Sequence, residues 1–325
     1  MSDHPRLGIS RIETYLPPCR LSSRALADEF GFDLEFIEKK VGVKQLFAVR
    51  DESVGDLAVQ ALSKLLESVP FLSEQLDILV VCTQTPDYQL PQVSSLVQSR
   101  CKLKSSLLSF DISLGCSGFV YGLSVVESLM ARHGMRNGVL ITAETYSKVI
   151  DPGDRNTKCL FSDGAAATLI TLGGNIGLGE FRFGTDGDHY DNLIIRVPSE
   201  GERAKLFMDG RGIYTFALST IPNEVRSTCK INNVDLKDVD FFVFHQASKF
   251  LLDGIGKKLE LESPDRLVNV LHLYGNTVSS SIPMALKDTL SVHGTRQLTI
   301  LISGFGVGLS WATTILRTEG DCSDV

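Results

Sequence analysis

Residues 107–132 read LLSFDISLGCSGFVYGLSVVESLMAR. Leu107–Ile112 is a short apolar run with the length and composition of a buried strand. Gly118–Arg132 spaces its apolar side chains as one face of a helix. A strand running straight into a helix is the building unit of an α/β protein. Cys116 sits at the elbow between them. There its thiol meets the free N–H groups and the positive dipole end of the helix, which favour thiolate. Gly115 and Gly118 leave room for a tight turn and for a substrate to approach.

The same alternation extends in both directions. Asp77–Thr83 (DILVVCT) and Gly138–Ala143 (GVLITA) read as buried strands, and Leu160–Leu172 turns at Asp163–Gly164 into another apolar run. Asp240–Phe244 (DFFVF) is a strand ending at His245. Val268–Leu271 (VNVL) leads to Gly275–Asn276, and Ser279–Leu290 is helix-like. Gln297–Ser303 is a strand ending in the turn Gly304–Gly308, followed by the apolar run Leu309–Leu316. Thr83 and Cys116 are 33 positions apart, and His245 and Asn276 are 31 apart. Strand, helix, strand, polar elbow residue and helix thus recur in one order. The pattern predicts two pseudo-twofold-related halves, residues 1–172 and 173–325. No Pro/Gly/Ser-rich linker divides them, so they are expected to share one core. Residues 173–220 are the least regular and are expected to loop over the site. The polar tail Thr318–Val325 is expected to fray.

Composition narrows the function. The 325 residues carry 32 basic and 39 acidic side chains, a net charge of −7. Such a balance disfavours nucleic acid, whose binding rests on neutralising phosphates. No window reaches the roughly 20 apolar residues of a membrane span, and Met1–Ser10 has no apolar signal core. The seven cysteines are irregularly spaced without a CxxC pair, which argues against a disulfide framework or a thiolate metal site and fits a reducing cytoplasm.

Three further features could carry chemistry. His245 ends an apolar strand, where α/β proteins bind ligands, although a histidine bonded to backbone in the core is as common. Asn276, in Tyr274-Gly-Asn-Thr, has turn and cap roles as its ordinary use. Gly304-Phe-Gly-Val-Gly lacks dinucleotide spacing and reads as a turn offering backbone N–H groups. Cys82, inside a strand, reads as a buried structural cysteine. A cysteine, a histidine and an amide donor at matched strand ends together point to nucleophilic acyl transfer.

The motifs DISLGCSGFVYGL from Asp111, LFSDGA from Leu160, HQA from His245, YGNT from Tyr274 and GFGVGLSW from Gly304 resemble those of the β-ketoacyl-acyl-carrier-protein synthase III family, of the thiolase superfamily. The resemblance spans essentially the whole chain. It implies an α/β, thiolase-like five-layered αβαβα fold, a homodimer and a Cys-His-Asn triad at Cys116, His245 and Asn276. The implied oxyanion donors are the backbone N–H of Cys116 and that of Gly306 or Val307. The implied reaction loads an acyl group from acyl-CoA on Cys116. It then condenses that group with malonyl carrier protein or malonyl-CoA, losing carbon dioxide, with no metal or redox cofactor.

The resemblance also maps a coenzyme A site onto Arg155, facing Phe36 where the family usually has tryptophan, and onto Ser248 where it has asparagine. Lys249, Lys257 and Lys258 are assigned to carrier-protein docking. Phe250 replaces a family arginine, and Lys249 beside it points roughly 100° away on a helix. Leu90 replaces a phenylalanine that closes the acyl pocket across the dimer, which implies room for a longer or branched primer. Two other readings compete: a transferase moving the acyl group from Cys116 to a small-molecule alcohol or amine, and an inactive partner subunit. Intact Asn276 speaks against the first, and the intact triad against the second. Thiolase chemistry would need a second cysteine, and Cys322 lies in the tail.

Overall fold

The computed structural model describes residues 6–197, 204–320 and 322–325. Ten strands form one sheet: β1 (Leu7–Tyr15), β2 (Ile78–Cys82), β3 (Leu108–Ile112), β4 (Asn137–Glu144), β5 (Gly164–Leu172), β6 (Ile176–Leu178), β7 (Arg182–Thr185), β8 (Phe241–Phe244), β9 (Thr299–Gly306) and β10 (Ser310–Thr318). Their order is β8-β9-β10-β6-β1-β5-β4-β2-β3, with β7 paired to β10. From one edge, β3, β2 and β4 are parallel, and β5 and β1 follow antiparallel. From the other edge, β8 and β9 are parallel, and β10 and β6 follow antiparallel. The two series meet where β1 pairs with β6, so one strand plan occurs twice.

Five helices matter here: α1 (Val54–Ser68), α2 (Gly118–His133), α3 (Gly210–Ile231), α4 (Lys249–Leu259) and α5 (Ser281–His293). The strands read as unbroken apolar runs because helices cover both faces. In β2, Leu79 and Val81 pack with Leu57, Ala61 and Leu65 of α1. Ile78, Val80 and Cys82 point the other way, to Phe119 and Leu123 of α2. That central cluster also takes Ile282 and Leu286 of α5 and Val243 of β8. On the far side, Phe242 and Phe244 meet Ile221 of α3 and Ile255 of α4. The layers are therefore helix, one half of the sheet, two central helices, the other half of the sheet, helix. The alternating direction of strand side chains is what lets each strand serve two layers. Among the described residues, no helix is long and apolar enough to cross a membrane.

Three expectations need correction. Residues 268–271 are not a strand: one parallel bridge at Leu267 pairs with Phe242. The Gln246 amide takes the strand partner's place, donating to the Val268 carbonyl (3.2 Å) and accepting from the Val270 N–H (2.9 Å). The stretch 173–220 is more ordered than expected. It holds β6, β7, the hairpin Leu193–Ile195 with Leu206–Met208, and the first half of α3; residues 198–203 lie outside the described residues. The tail packs instead of fraying, with Cys322 and Val325 buried in the central cluster and the Cys322 N–H bonded to the Gly294 carbonyl at 2.7 Å. A turn joins the two residues, so a segment polar by composition presents two apolar side chains to the core.

Candidate active site

The elbow after β3 delivers Cys116 to a buried position, and α2 starts two residues later. Ser117, the cap residue, bonds through its hydroxyl to that of Ser310 (2.8 Å), which ties the elbow to the other half of the sheet. The backbone N–H dipoles of Val307 and of Cys116 itself favour the charged form of the thiol. Gly306 is needed beside it: a Cβ there would lie 2.8 Å from the Cys116 Cβ and 2.9 Å from Sγ. The expectation of a ready thiolate fails. Burial, joined by the Glu144 carboxylate, pushes the thiol up to about 12, outweighing the N–H donors. Cys116 therefore rests as a thiol and requires a base.

His245 follows β8 and continues its pairing through an N–H bond to the Ser303 carbonyl (2.9 Å). Its ring stands edge-on to Phe305, and Nδ1 lies 2.8 Å from Ser281 Oγ. Burial pulls the imidazole down to about 3, so it is neutral at physiological pH. Asn276 stands in a turn stitched to residues 160–162: its N–H donates to the Leu160 carbonyl, and its own carbonyl accepts from the Ser162 N–H. Gly275 before it has φ +67°, a conformation glycine adopts freely. The Asn276 Oδ1 accepts from the Val278 N–H at 2.9 Å. That contact fixes the amide, leaving Nδ2 with only a 3.5 Å contact to the Ala247 carbonyl. Val278 has φ +52°, a strained setting for a β-branched residue.

Cys116, His245 and Asn276 line one cavity of about 390 Å³, walled by apolar side chains including Leu193, Met208, Ile213 and Phe305. The volume suits a small organic ligand. Residues 31 to 160 positions apart in sequence thus share one chamber, because both elbows open between the two halves of the sheet. At the rim, Phe250 stacks on Tyr214 (4.9 Å), and Lys40 lies 6.0 Å from the Phe250 ring.

The remaining predicted residues divide. Ser248 lines the cavity, and its hydroxyl caps α4 by accepting from the Leu251 N–H. Arg155 sits 5.0 Å over the ring of Phe32 rather than Phe36; Phe32 in turn stacks on Phe36 at 5.3 Å. Four residues along a turning chain bring the two rings together, which places Phe32 between arginine and the expected partner. Leu90 is 86% exposed and does not line the cavity of its own chain. Lys249 pairs with Asp253 (2.6 Å), while Lys257 and Lys258 are exposed in the last turn of α4. Cys82 is structural, its thiol donating to the Leu114 carbonyl.

Sequence reasoning missed Glu144. This carboxyl is completely buried at the end of β4 and receives bonds from the Gln84 N–H (3.1 Å), the Thr85 hydroxyl (3.0 Å) and the Ser279 hydroxyl (3.1 Å). Burial pushes it up to about 8 against those donors. The signal was a charged residue closing an otherwise apolar strand.

A cysteine at one elbow facing a histidine and an asparagine from the repeated half defines a thiolase-like condensing enzyme. Profiles described as 3-oxoacyl-[acyl-carrier-protein (ACP)] synthase III and its C-terminal part match residues 110–187 and 229–318. The chain is 32% identical over 324 residues to a β-ketoacyl-[acyl-carrier-protein] synthase III of Lactococcus lactis, covering 95% of this chain and 98% of that one. It is 31% identical over 321 residues to one from Streptococcus pneumoniae, with the same coverage. A crystal structure of a 3-oxoacyl-(acyl carrier protein) synthase III from Pseudomonas aeruginosa superposes with a TM-score of 0.89 at 32% identity, covering 97% and 99% of the two chains. The chain belongs to the β-ketoacyl-acyl-carrier-protein synthase III family. It is a condensing transferase that joins an acyl primer to a malonyl thioester, a reaction of fatty-acid biosynthesis.

Proposed function

We propose that Cys116 carries the primer, taken from acyl-CoA, and that His245 and Asn276 serve the decarboxylative step. The carrying observation is the buried Cys116 thiol in the one chamber that His245 and Asn276 also line. The sulfur attacks the thioester carbon, a C–S bond forms, and coenzyme A leaves. During attack the carbonyl oxygen moves toward the N–H groups of Cys116 and Val307; one such donor is worth about 2.7–4 kcal/mol. Gly306 contributes by lacking a side chain.

The malonyl thioester then binds with its carbonyl oxygen toward Asn276 Nδ2 and His245 Nε2. Its carboxylate leaves as carbon dioxide, and the electron pair becomes an enolate. The enolate carbon attacks the acyl-cysteine, the C–S bond breaks, and a β-ketoacyl thioester departs. One proton from water completes the balance, so the reaction closes without a metal or redox cofactor. The fixed amide of Asn276, with Nδ2 weakly engaged, favours condensation over transfer to an alcohol or amine.

Arg155, Phe32, Phe36 and Ser248 are assigned to coenzyme A, and Lys249, Lys257 and Lys258 to a carrier protein. β3 is an edge strand, and Leu90 and Leu108 are exposed. These features support a homodimer in which Leu90 reaches the partner's acyl pocket. Cytoplasmic residence fits the irregular cysteine spacing without a CxxC pair, and neither nucleic acid nor membrane is assigned as a partner. The test is intact-protein mass spectrometry with a panel of acyl-CoA thioesters, followed by malonyl-CoA or malonyl carrier protein. Wild type gains and then discharges an acyl mass; Cys116→Ala gains none; Asn276→Ala gains it and fails to discharge it. Acylation of Cys116→Ala would refute the nucleophile. A wild-type acyl-enzyme that ignores both malonyl donors would refute condensation.

A further inference from the structure

Ser281, the first residue of α5, is fully used by the site although no step of the reaction calls on it. Its buried hydroxyl oxygen lies 2.8 Å from His245 Nδ1, 2.9 Å from the Val278 carbonyl oxygen and 3.3 Å from the Gln246 nitrogen. A hydroxyl has one proton and two acceptor lone pairs. The Gln246 N–H can only donate, so it occupies one lone pair. The Val278 carbonyl can only accept, so it takes the hydroxyl proton. The remaining lone pair faces Nδ1, which must then carry a proton.

The surroundings favour that arrangement. The Val278 carbonyl also reaches the His245 ring as an acceptor. A proton on Nδ1 thus has the Ser281 oxygen as its acceptor, whereas a bare Nδ1 would set its lone pair against that oxygen. Val278 adopts a left-handed backbone conformation, and its N–H is held by Asn276 Oδ1. One turn therefore orients both catalytic side chains.

We propose that Ser281 is a positioning residue that holds resting His245 with its proton on Nδ1, leaving Nε2 a bare base toward the cavity. The inference rests on the acyl-transfer reading of Cys116. It orders the two half-reactions. Nε2 takes the Cys116 proton, which the buried thiol cannot otherwise shed. The C–S bond forms, and coenzyme A leaves as thiolate and is protonated by water outside. Because burial disfavours the His245 cation, the imidazole carries this proton only with an anion beside it, and only then has an N–H on Nε2 to donate. The malonyl carboxylate supplies the counter-charge to this cation. Carbon dioxide leaves, the enolate oxygen accepts from Nε2–H, the new C–C bond forms, and the released Cys116 sulfur recovers the proton. Loading the primer is thus what arms the decarboxylating donor.

The experiment is nitrogen NMR of histidine-labelled protein without substrate, joined to single-turnover acylation of Ser281→Ala and Ser281→Thr. Resting wild type is expected to show a protonated Nδ1 and a bare Nε2 at His245. Ser281→Ala is expected to acylate about 10-fold to 100-fold more slowly, by analogy with the cost of losing the partner that orients a metal-ligating histidine, and Ser281→Thr to stay within about 2-fold of wild type. A resting Nε2–H signature overturns the proposal, as does Ser281→Ala acylating at the wild-type rate. The wild-type spectrum decides the point even if Ser281→Ala does not fold. It is also independent of the acyl-transfer reading, which fails separately if wild type takes up no acyl group.

Discussion

Gly306→Ala tests how tightly the nucleophile is held. The added methyl would stand 2.8 Å from the Cys116 Cβ and 2.9 Å from Sγ. Non-bonded carbons rest at about 3.5–4.0 Å, so something must yield by roughly 1 Å. The Gly306 backbone is paired with Ser310 at the end of the β9–β10 hairpin. The elbow backbone has little room to retreat either: a Cβ built on Gly304 would lie 2.6 Å from the Cys116 carbonyl oxygen and 2.8 Å from Ser117 Cα. The thiol therefore moves. A misplacement of about 1 Å at a reacting atom costs about 10²-fold in rate, close to 2.7 kcal/mol of barrier. Overpacking costs about 1–3 kcal/mol of stability. The assay is single-turnover acylation followed by intact mass, with thermal unfolding alongside. Gly177→Ala is the control: the nearest atom to its added carbon is 3.8 Å away, and it should change neither quantity appreciably. Wild-type acylation and an unchanged melting temperature in Gly306→Ala would show that the contact does not constrain the sulfur.

Glu144 predicts a pH dependence. Its folded pKa, about 8, lies above the ordinary 4.5, so the folded state holds this proton more tightly than the unfolded chain. Its contribution is fully present below about pH 4.5 and is lost as pH rises through 8. Glu144→Gln should therefore gain melting temperature relative to wild type as pH rises from 5 to 8.5; a difference constant with pH refutes this. Arg155→Ala and Phe32→Ala should each raise the Michaelis constant for acyl-CoA by about 2–5-fold, the scale of an exposed cation–π contact, leaving the rate constant near wild type. Unchanged constants would remove this pair from the coenzyme site. Deleting residues 322–325 should cost roughly 1–3 kcal/mol in denaturant unfolding, because Cys322 and Val325 are buried. An unaltered midpoint would mean the tail contributes nothing.

Much of the architecture was legible because it is written in local pattern. Apolar runs such as LDILVVC and FFVF announce strands covered on both faces, and the helical spacing after Cys116 announces α2. The twofold plan could be read from the recurring order of elements, and the chemistry from Cys116, His245 and Asn276 at matching ends. Other features depended on partners distant in sequence. The strand expected at 268–271 was lost to the Gln246 side chain, whose amide replaces strand bonds only once β8 is in place. The Arg155 ring partner proved to be Phe32, because folding stacked two phenylalanines that the sequence shows only as a pair four apart. The tail Thr318–Val325 looked mobile by composition, yet Cys322 and Val325 reach a core assembled from both halves.

The protonation of the site belongs wholly to tertiary structure. The sequence places Cys116 at a helix start, a local feature that favours thiolate. Burial and the Glu144 carboxylate, 28 residues away, reverse the outcome. The sequence alone determined which residues are candidates for the chemistry and what kind of layers present them, because strand and helix periodicity are properties of neighbouring residues. Only the folded chain decided which of them are charged, which nitrogen of His245 faces the cavity and what walls the acyl group meets, because desolvation and hydrogen bonding are set by residues that folding brings together.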